Sequence, residues 1–325
     1  MGGSGFAGAL GAAILWSHPR IALEAVTSRN EVGRRLDELF PRYRVPLTFE
    51  RFDPVRLGEL DVALVSYPHG AAAPVVAALR TQGVRVVDLS ADFRLRDLDG
   101  YSTWYGEHGA PELLAEAVFG LTELHRQAIA ATDLVANPGC YSTAAILALA
   151  PLARAGLIED AVVDAKSGVS GAGREASETS HFVSVSENVK AYGVDGHRHA
   201  PEIDQELLEL GCTEKVTFIP HLLPIDQGLL ASCYVQPTRP LDADELRSLF
   251  VEAYEEELFV EVVDQPPGVR EVRDTNLCRI HVNVERRTGR VLVFCVIDNL
   301  WKGAAGQAVQ NLNLMLDLDE SEGLR

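Results

Sequence analysis

Short apolar runs alternate with polar turns through the first half of the chain. Residues 62–66 and 84–89 are apolar and rich in β-branched side chains, which predicts buried strands, and residues 71–82 between them have helical spacing. Residues 21–26 are predicted as a further strand and residues 9–16 as a helix. Strands that alternate with helices predict a Rossmann-type doubly wound parallel sheet in an α/β domain.

The second half has a different pattern, in which strands follow one another with few helices between them. Strands are predicted at residues 161–166, 215–220, 228–236, 277–284 and 290–297, with a helix at 243–257. This succession predicts a mostly antiparallel sheet in an α+β domain. We therefore expect a cofactor-binding domain at 1–136, completed by a C-terminal helix at 303–325, and a catalytic domain at 137–302.

Composition narrows the function classes. The chain has 325 residues, is 47% hydrophobic and carries a formal charge of −18. This charge disfavours nucleic acid and anionic membranes as partners, and no apolar run reaches the ~20 residues that span a bilayer. The five cysteines include no Cys-x-x-Cys pair, which indicates free thiols in a reducing cytoplasm.

One cysteine stands apart from the others. Cys140 follows Asn137-Pro138-Gly139 and precedes the helix-forming run 144–152. At a helix N-terminus the thiolate is favoured over the thiol, so Cys140 is a candidate nucleophile. The alternative is a small buried apolar residue, which is our interpretation of the cysteines within strand-like runs, Cys233, Cys278 and Cys295.

A glycine-rich turn near the start has the spacing of a dinucleotide site. Gly3, Gly5 and Gly8 form Gly-x-Gly-x-x-Gly before a helix, with Ser4 and Phe6 between them, and such a turn lets a pyrophosphate approach the backbone. This spacing alone is weakly specific.

Two further loops carry candidate cofactor residues. Strand 21–26 ends in Thr27-Ser28-Arg29 without an acidic residue, and Ser66 ends the next predicted strand. Ser28 and Arg29 suit the 2′-phosphate of NADP better than the free hydroxyl of NAD. An ordinary turn with a solvated arginine remains the alternative.

The second domain offers cations and imidazoles. Lys166 and Arg174 flank the glycine-rich loop 167–173, which is either an anion site or a flexible surface loop. His197 and His199 are spaced to point the same way. A general acid/base is favoured over a metal site, because no nearby Cys or His completes a zinc ligand set.

Five motifs, in order along the chain, resemble the N-acetyl-γ-glutamyl-phosphate reductase family, which is of the aspartate-semialdehyde and glyceraldehyde-phosphate dehydrogenase type. They are Asn-Pro-Gly-Cys-Tyr-x-Thr-Ala at 137–144, Ser-Gly-x-Ser-Gly-Ala-Gly-Arg at 167–174, His-Arg-His-x-Pro-Glu-Ile at 197–203, Pro-His-Leu-x-Pro at 220–224 and Asp-Asn-Leu-x-Lys-Gly at 298–303. The resemblance implies NADPH-dependent reduction of N-acetyl-γ-glutamyl phosphate to the semialdehyde and phosphate, in arginine biosynthesis.

The resemblance also implies roles for individual residues. Cys140 would form a thioester and His199, chosen over His197, would move the proton. The implied substrate and phosphate contacts are Arg174, Lys166, His197 and His221, and the implied cofactor contacts include Asn299 and Gly303. The implied partner is a small-molecule substrate, and we expect a homo-oligomer.

Two other functions are weighed against this one. A lysine-type reductase acting on a carrier-linked aminoadipyl phosphate would need a basic docking surface, which the charge of −18 disfavours. A non-catalytic dinucleotide-binding regulator would not need the intact Cys140 and His-Arg-His segment.

The start of the chain poses a further question. Only Met1 and Gly2 precede Gly3, whereas the glycine-rich turn of a dinucleotide fold follows a central strand. We therefore expect the first strand to be missing and the true start to lie several codons upstream.

Overall fold

The computed structural model describes residues 1–178 and 180–324. Contacts divide the chain into two compact units. Unit 1 comprises Met1–Gly139 and Ala304–Arg325, and unit 2 comprises Cys140–Gly303. Arg325, the last residue of the predicted segment 303–325, lies outside the described residues.

Unit 1 alternates strands and helices, as the sequence predicted, and elements in both units are numbered in chain order. Its strands are β1 (Val26–Thr27), β2 (Phe49–Glu50), β3 (Val62–Val65), β4 (Arg85–Asp88), β5 (Val118–Phe119) and β6 (Leu134–Ala136). Its helices are α1 (Phe6–Trp16), α2 (Leu36–Leu39), α3 (Pro54–Leu57), α4 (Ala73–Thr81), α5 (Leu98–Tyr105), α6 (Thr122–Ala131) and α11 (Gly306–Met315).

The main sheet of unit 1 is parallel throughout. Its strand order is β3-β4-β6-β5, and β1 and β2 form a separate parallel pair. Strand β4 is buried from Val86 to Asp88, as expected for a parallel sheet with both faces covered. The predicted doubly wound class is confirmed.

The predicted strand at 21–26 is largely wrong, because only Val26 and Thr27 pair with another strand. Residues 21–25 alternate between half-buried and exposed, as an extended chain with one apolar face would. They form no strand because β2 has only two residues with which to pair.

The strand that we expected to be missing would lie beside β1 and β3. The first three residues of the chain fill part of this position. The Gly3 N–H donates to the Thr27 carbonyl at 3.0 Å and the Ser66 N–H donates to the Met1 carbonyl at 2.9 Å. The Met1 amino group donates to the Leu64 carbonyl at 2.5 Å. Backbone groups at the ends of β1 and β3 are therefore hydrogen-bonded to residues 1–3, and only part of the expected strand is missing.

Unit 2 contains one large mixed sheet. Its strands are β7 (Ile158–Gly168), β8 (Lys190–Ala191), β9 (Thr217–Leu223), β10 (Leu229–Pro237), β11 (Val260–Val262), β12 (Cys278–Val284) and β13 (Val291–Ile297). Its helices are α7 (Cys140–Arg154), α8 (Phe182–Val185), α9 (Ala200–Glu209) and α10 (Ala243–Tyr254). The strand order is β11-β12-β13-β10-β7-β9-β8. The pairs β11-β12 and β7-β9 are parallel and the other four are antiparallel, which confirms the prediction.

Helix α7 forms the core of unit 2 and packs on β10 and β13. Pro151 lies inside this helix and lacks the N–H that would bond to the carbonyl of Leu147. The Tyr254 hydroxyl donates to that carbonyl at 2.6 Å. Tyr254 of α10 therefore supplies the hydrogen bond to the Leu147 carbonyl that Pro151 cannot donate.

The C-terminal helix is shorter than the segment 303–325, although it ends near Met315, where its amphipathic pattern ends. Residues Trp301–Ala305 form a π-helical turn, and α11 ends at Met315, so the helix does not extend through 303–325. Turns follow up to residue 324. Within 1–178 and 180–324, no helix has the length and apolar character needed to cross a membrane.

Candidate active site

The glycine-rich turn of unit 1 uses positions where a side chain does not fit. Gly2 has φ +72°, and a Cβ there would lie 2.4 Å from the carbonyl oxygen of Ser66. A Cβ at Gly8 would lie 2.5 Å from the carbonyl oxygen of Gly2, whereas at Gly5 the same oxygen would be 3.9 Å away. The turn therefore requires glycine at Gly2 and Gly8, and the spacing that selected Gly3, Gly5 and Gly8 missed Gly2.

Helix α1 begins without a side-chain cap. Gly5 is its N-cap residue and has no side chain that could cap the helix. Phe6 packs edge-on against Phe40 at 6.2 Å between ring centroids, and the Ser4 hydroxyl lies 2.9 Å from that of Ser28. Backbone N–H groups at a helix start whose N-cap residue is glycine, beside a glycine-rich turn, fit the pyrophosphate of a dinucleotide.

The residues after β1 form a second part of this site. The Ser28 hydroxyl is buried and accepts the N–H of Glu31 at 3.2 Å. Arg29 is exposed, with its guanidinium carbon 5.5 Å from the centre of the Tyr67 ring. The Glu31 carboxylate pairs with Arg34 at 2.8 Å. The charge of Glu31 is thereby offset, and the exposed Arg29 is suited to an anion.

The loop that follows β3 is held by a buried acid that the sequence analysis did not single out. The Asp92 carboxylate accepts the N–H groups of Gly70 at 2.6 Å, Ala72 at 3.1 Å and Ala73 at 2.9 Å. The Tyr101 hydroxyl also donates to it at 3.2 Å. Asp92 thus caps α4 from the neighbouring loop and fixes the loop that begins with predicted cofactor residue Ser66.

Contacts within unit 1 fix the residue that opens the cysteine motif. The Asn137 N–H donates to the Asp88 carbonyl at 2.8 Å, and Arg94 Nε donates to the Asn137 carbonyl at 2.7 Å. Asn311 Nδ2 donates to the side-chain oxygen of Asn137 at 3.1 Å. The turn before Cys140 therefore has little freedom.

Cys140 is the first residue of α7 and is half-buried. Gly303 lies directly against it, since a Cβ at position 303 would be 2.7 Å from the Cβ of Cys140. Gly303 therefore makes room for the thiol at the positive end of the helix. The other four cysteines are buried, as predicted for those in strands, and Cys278 and Cys295 have Sγ atoms 3.4 Å apart.

Aromatic rings surround the residue next to the thiol. The ring centroid of Tyr141 lies 5.8 Å from those of His197 and His199 and 5.4 Å from that of Phe218. The two imidazoles are 4.9 Å apart. The centroid of the Tyr192 ring lies 5.5 Å from that of His197. We call this group the cysteine cluster; it comprises Cys140, Tyr141, Tyr192, His197, His199 and Phe218.

The two histidines differ in their surroundings. The His199 N–H donates to Nδ1 of His197 at 3.2 Å, which assigns the His197 proton to Nε2. Burial, with the neighbouring charge of Arg198, lowers the pKa of His197 to about 4. His197 is thus neutral at neutral pH and can donate through Nε2, and the choice of His199 for proton transfer stays a prediction.

The predicted phosphate contacts are not all brought together. Lys166 and His221 are cross-strand neighbours on β7 and β9. Asp164 lies 2.6 Å from the Lys166 ammonium and 3.1 Å from His221 Nδ1, the latter at ion-pair distance without hydrogen-bond alignment. Because side chains alternate along a strand, His221 and Phe218 point to opposite faces of the sheet. The side chains of Lys166 and His221 therefore lie on the face of the sheet opposite to Phe218, although the His221 carbonyl accepts the Tyr141 hydroxyl at 2.9 Å. Arg174 is exposed beyond the 3-10 turn Val169–Ala172.

The side chain of Asn299 is hydrogen-bonded to residues of unit 2. Its side-chain oxygen accepts the Gly228 N–H at 2.8 Å and its amide donates to the Ser170 hydroxyl at 2.9 Å. That hydroxyl donates to the Asp226 carbonyl at 2.6 Å. Asn299 thus holds the glycine-rich loop after β7, and its contact with a cofactor stays a prediction.

Comparison with known proteins identifies the family. Residues 1–132 match the family described as semialdehyde dehydrogenase, NAD binding domain, and residues 140–299 match semialdehyde dehydrogenase, dimerisation domain. The chain is 47% identical to the N-acetyl-gamma-glutamyl-phosphate reductase of Dehalococcoides mccartyi, over 99% of this chain and 95% of that protein. It is 48% identical to the protein of the same name from Alkalilimnicola ehrlichii, over 100% of this chain and 96% of that protein.

Solved structures agree on the fold. Aspartate semialdehyde dehydrogenase II of Vibrio cholerae, complexed with ASA, superposes with a TM-score of 0.74 at 18% identity over 97% of this chain and 96% of that one. The enzyme of Candida albicans with NADP gives 0.73 at 13% identity, over 97% of each chain. These structural similarities show the fold alone. The identity of 47–48% over nearly the full length shows that the chain belongs to the N-acetyl-gamma-glutamyl-phosphate reductase family.

Proposed function

We propose that this chain reduces N-acetyl-γ-glutamyl phosphate to N-acetylglutamate semialdehyde and phosphate, with NADPH as the reductant. The observation that carries the proposal is the cysteine cluster. It combines a half-buried thiol at the start of a helix with two imidazoles, in a chain that is 47% identical to named reductases over nearly its whole length.

The first step uses Cys140. Its thiolate attacks the acyl carbon of the substrate, the carbon–oxygen bond to phosphate breaks, and a thioester remains on the sulfur. The N-terminus of α7 supports the negative charge of the thiolate before the attack. Arg174 is the proposed cation for the departing phosphate, because its exposed side chain follows the glycine-rich loop 167–173.

The second step reduces the thioester. NADPH, when bound, supplies the hydride that reaches the acyl carbon. His199 donates a proton to the oxyanion that the hydride creates and takes it back as the carbon–sulfur bond breaks, which releases the aldehyde and returns the thiolate. His197 remains neutral and donates through Nε2.

NADP specificity rests on Arg29 and Ser28. The exposed guanidinium over the Tyr67 ring can bind the 2′-phosphate, and an arginine–phosphate contact is charge-assisted. The glycine turn, including Gly3, Gly5 and Gly8, would hold the pyrophosphate, with Asn299 and Gly303 as further proposed contacts.

Phosphate-dependent oxidation of N-acetylglutamate semialdehyde, followed as NADP reduction, tests the function. We expect turnover that needs both phosphate and the N-acetylated substrate. The matched control is the carrier-linked aminoadipate semialdehyde of the lysine-type reaction. Turnover of that substrate alone, or no dependence on phosphate, would contradict the proposal.

We also infer a homo-oligomer formed through unit 2, in the cytoplasm. Helices α7 and α10 pack on one face of the large sheet. On the other face Val162, Ile219, Leu292 and Phe294 are only half-buried, which suits a second copy of the same surface. If so, Leu292→Glu should lower the mass found by light scattering, and an unchanged mass would contradict this interface.

A further inference from the structure

Tyr67 lies in the loop after β3 and has no part in the proposed chemistry. Its side chain is buried and packs in a core cluster of unit 1 that includes Val65 and Ala72. The guanidinium carbon of the exposed Arg29 lies 5.5 Å from the centroid of the Tyr67 ring. This distance is within the ~6 Å at which the face of an aromatic ring attracts a cation. A buried ring therefore supports the exposed arginine that follows β1.

The hydroxyl of Tyr67 is hydrogen-bonded to the strand that precedes Arg29. The Thr27 hydroxyl, on β1, lies 3.3 Å from the Tyr67 hydroxyl and donates its proton to the sulfur of Met1 at 3.4 Å. Because a hydroxyl has a single proton, Tyr67 is the donor to Thr27. The bond is long for two hydroxyl oxygens, so core packing contributes more than this bond to the position of the ring.

The loop that carries Tyr67 is held on both sides of the ring. Before it, the Ser66 N–H donates to the Met1 carbonyl at 2.9 Å. After it, the Asp92 carboxylate accepts three N–H groups between residues 70 and 73. The ring is therefore fixed by contacts within unit 1, and Arg29 has an ordered surface on which to lie.

An ordered surface matters because an exposed arginine loses rotamer freedom when it binds a phosphate. The freedom lost by one such side chain corresponds to about 2- to 10-fold in affinity. A guanidinium that already lies on a ring has lost part of this freedom before the ligand arrives. Guanidinium groups can stack through their faces while the N–H groups at their edges bind a phosphate.

We propose that Tyr67 is a positioning residue for cofactor specificity. Its ring orders the Arg29 guanidinium for the 2′-phosphate and so favours NADPH over NADH, which lacks this phosphate. The inference rests on the proposed function in taking Arg29 as the contact for the 2′-phosphate.

The test compares the dissociation constants of NADPH and NADH, measured by cofactor fluorescence without substrate. Tyr67→Leu removes the ring, and NADPH should bind about 2- to 10-fold more weakly while NADH binds as before. Tyr67→Phe keeps the ring and should restore the NADPH affinity. Tyr43→Leu is the matched control, because it removes a ring that lies 4.7 Å from the guanidinium carbon of Arg42, also in unit 1. It should leave the ratio of the two constants unchanged.

A double variant shows whether the ring acts through the arginine. Once Arg29→Ala has removed the guanidinium, adding Tyr67→Leu should weaken NADPH no further. Tyr67→Met replaces Tyr67→Leu if the leucine variant does not fold, because the flexible methionine side chain fills irregular core gaps.

Three results would overturn the proposal: unchanged NADPH binding without the ring, equal losses for NADPH and NADH, or a further loss in the double variant. The single Arg29→Ala variant distinguishes the two failures. If it weakens NADPH and loss of the Tyr67 ring does not, only this inference fails. If Arg29→Ala leaves NADPH binding unchanged, the proposed contact with the 2′-phosphate fails and the inference falls with it.

Discussion

In unit 1 the functional groups of the glycine-rich turn at residues 2–8 are backbone N–H groups. In unit 2 the functional groups around Cys140 are side chains, which neighbouring aromatic rings hold in place. A single added methyl group therefore damages the first region. The second is damaged by deleting one functional atom. Substitutions in the two regions should separate cofactor binding from chemistry.

The largest effect is expected at the thiol. Cys140→Ser should lower kcat by ~10³-fold or more, because a hydroxyl of much higher pKa does not form the acyl intermediate at neutral pH. Cofactor binding, measured by NADPH fluorescence, should be unchanged, since the substitution leaves unit 1 intact. Turnover within tenfold of wild type would rule out the covalent mechanism.

The two histidines should differ in effect. His199→Asn should lower kcat ~10²–10⁴-fold, the usual range for a lost general acid or base. His197→Asn should cost less, because a pKa of about 4 makes the His197 imidazole a weak base. Parallel kcat measurements decide between them, and a larger loss in His197→Asn reverses the assignment.

In unit 1 the cofactor phosphate provides the next test. Arg29→Ala should weaken NADPH roughly 10- to 150-fold while leaving NADH nearly unaffected, because only the 2′-phosphate needs the charge-assisted contact. Dissociation constants for both cofactors measure the difference. Equal losses would mean that Arg29 does not bind that phosphate.

The smallest effect is expected in the glycine turn. Gly8→Ala places a methyl group 2.5 Å from the Gly2 carbonyl, and overpacking costs ~1–3 kcal/mol. The melting temperature should fall by a few degrees and NADPH should bind more weakly. Gly5→Ala is the control, because its methyl group would lie 3.9 Å from the same atom. Equal behaviour of the two variants would contradict this account of the turn.

Local signals were sufficient for much of the fold. The Pro-Gly turn before Cys140 predicted a helix start, and α7 begins at that residue. The alternating pattern at 21–26 predicted an extended chain but not whether a partner strand exists, and only Val26 and Thr27 found one. Strand β6 was missed because its three residues are too few to show a period.

The candidate site was harder to predict, because its groups meet only in three dimensions. Tyr141 and Tyr192 carry no sequence signal beyond being tyrosines, and the hydrogen bond between their hydroxyls joins residues far apart in the chain. Lys166 and His221 were chosen for their charge and motif. Asp164 lies two residues before Lys166 on the same strand, so that pair is local and was overlooked. The contact between Asp164 and His221 depends on the register of β7 and β9, which the sequence does not specify.

The covalent step can be observed directly by trapping the acyl-enzyme. Incubating the protein with N-acetyl-γ-glutamyl phosphate without NADPH should release phosphate and add the mass of one N-acetylglutamyl group to the peptide that contains Cys140. Adding NADPH should then remove that mass and produce the aldehyde. Phosphate release that requires NADPH from the outset, or an adduct on any other residue, would contradict the assignment of Cys140 as the nucleophile.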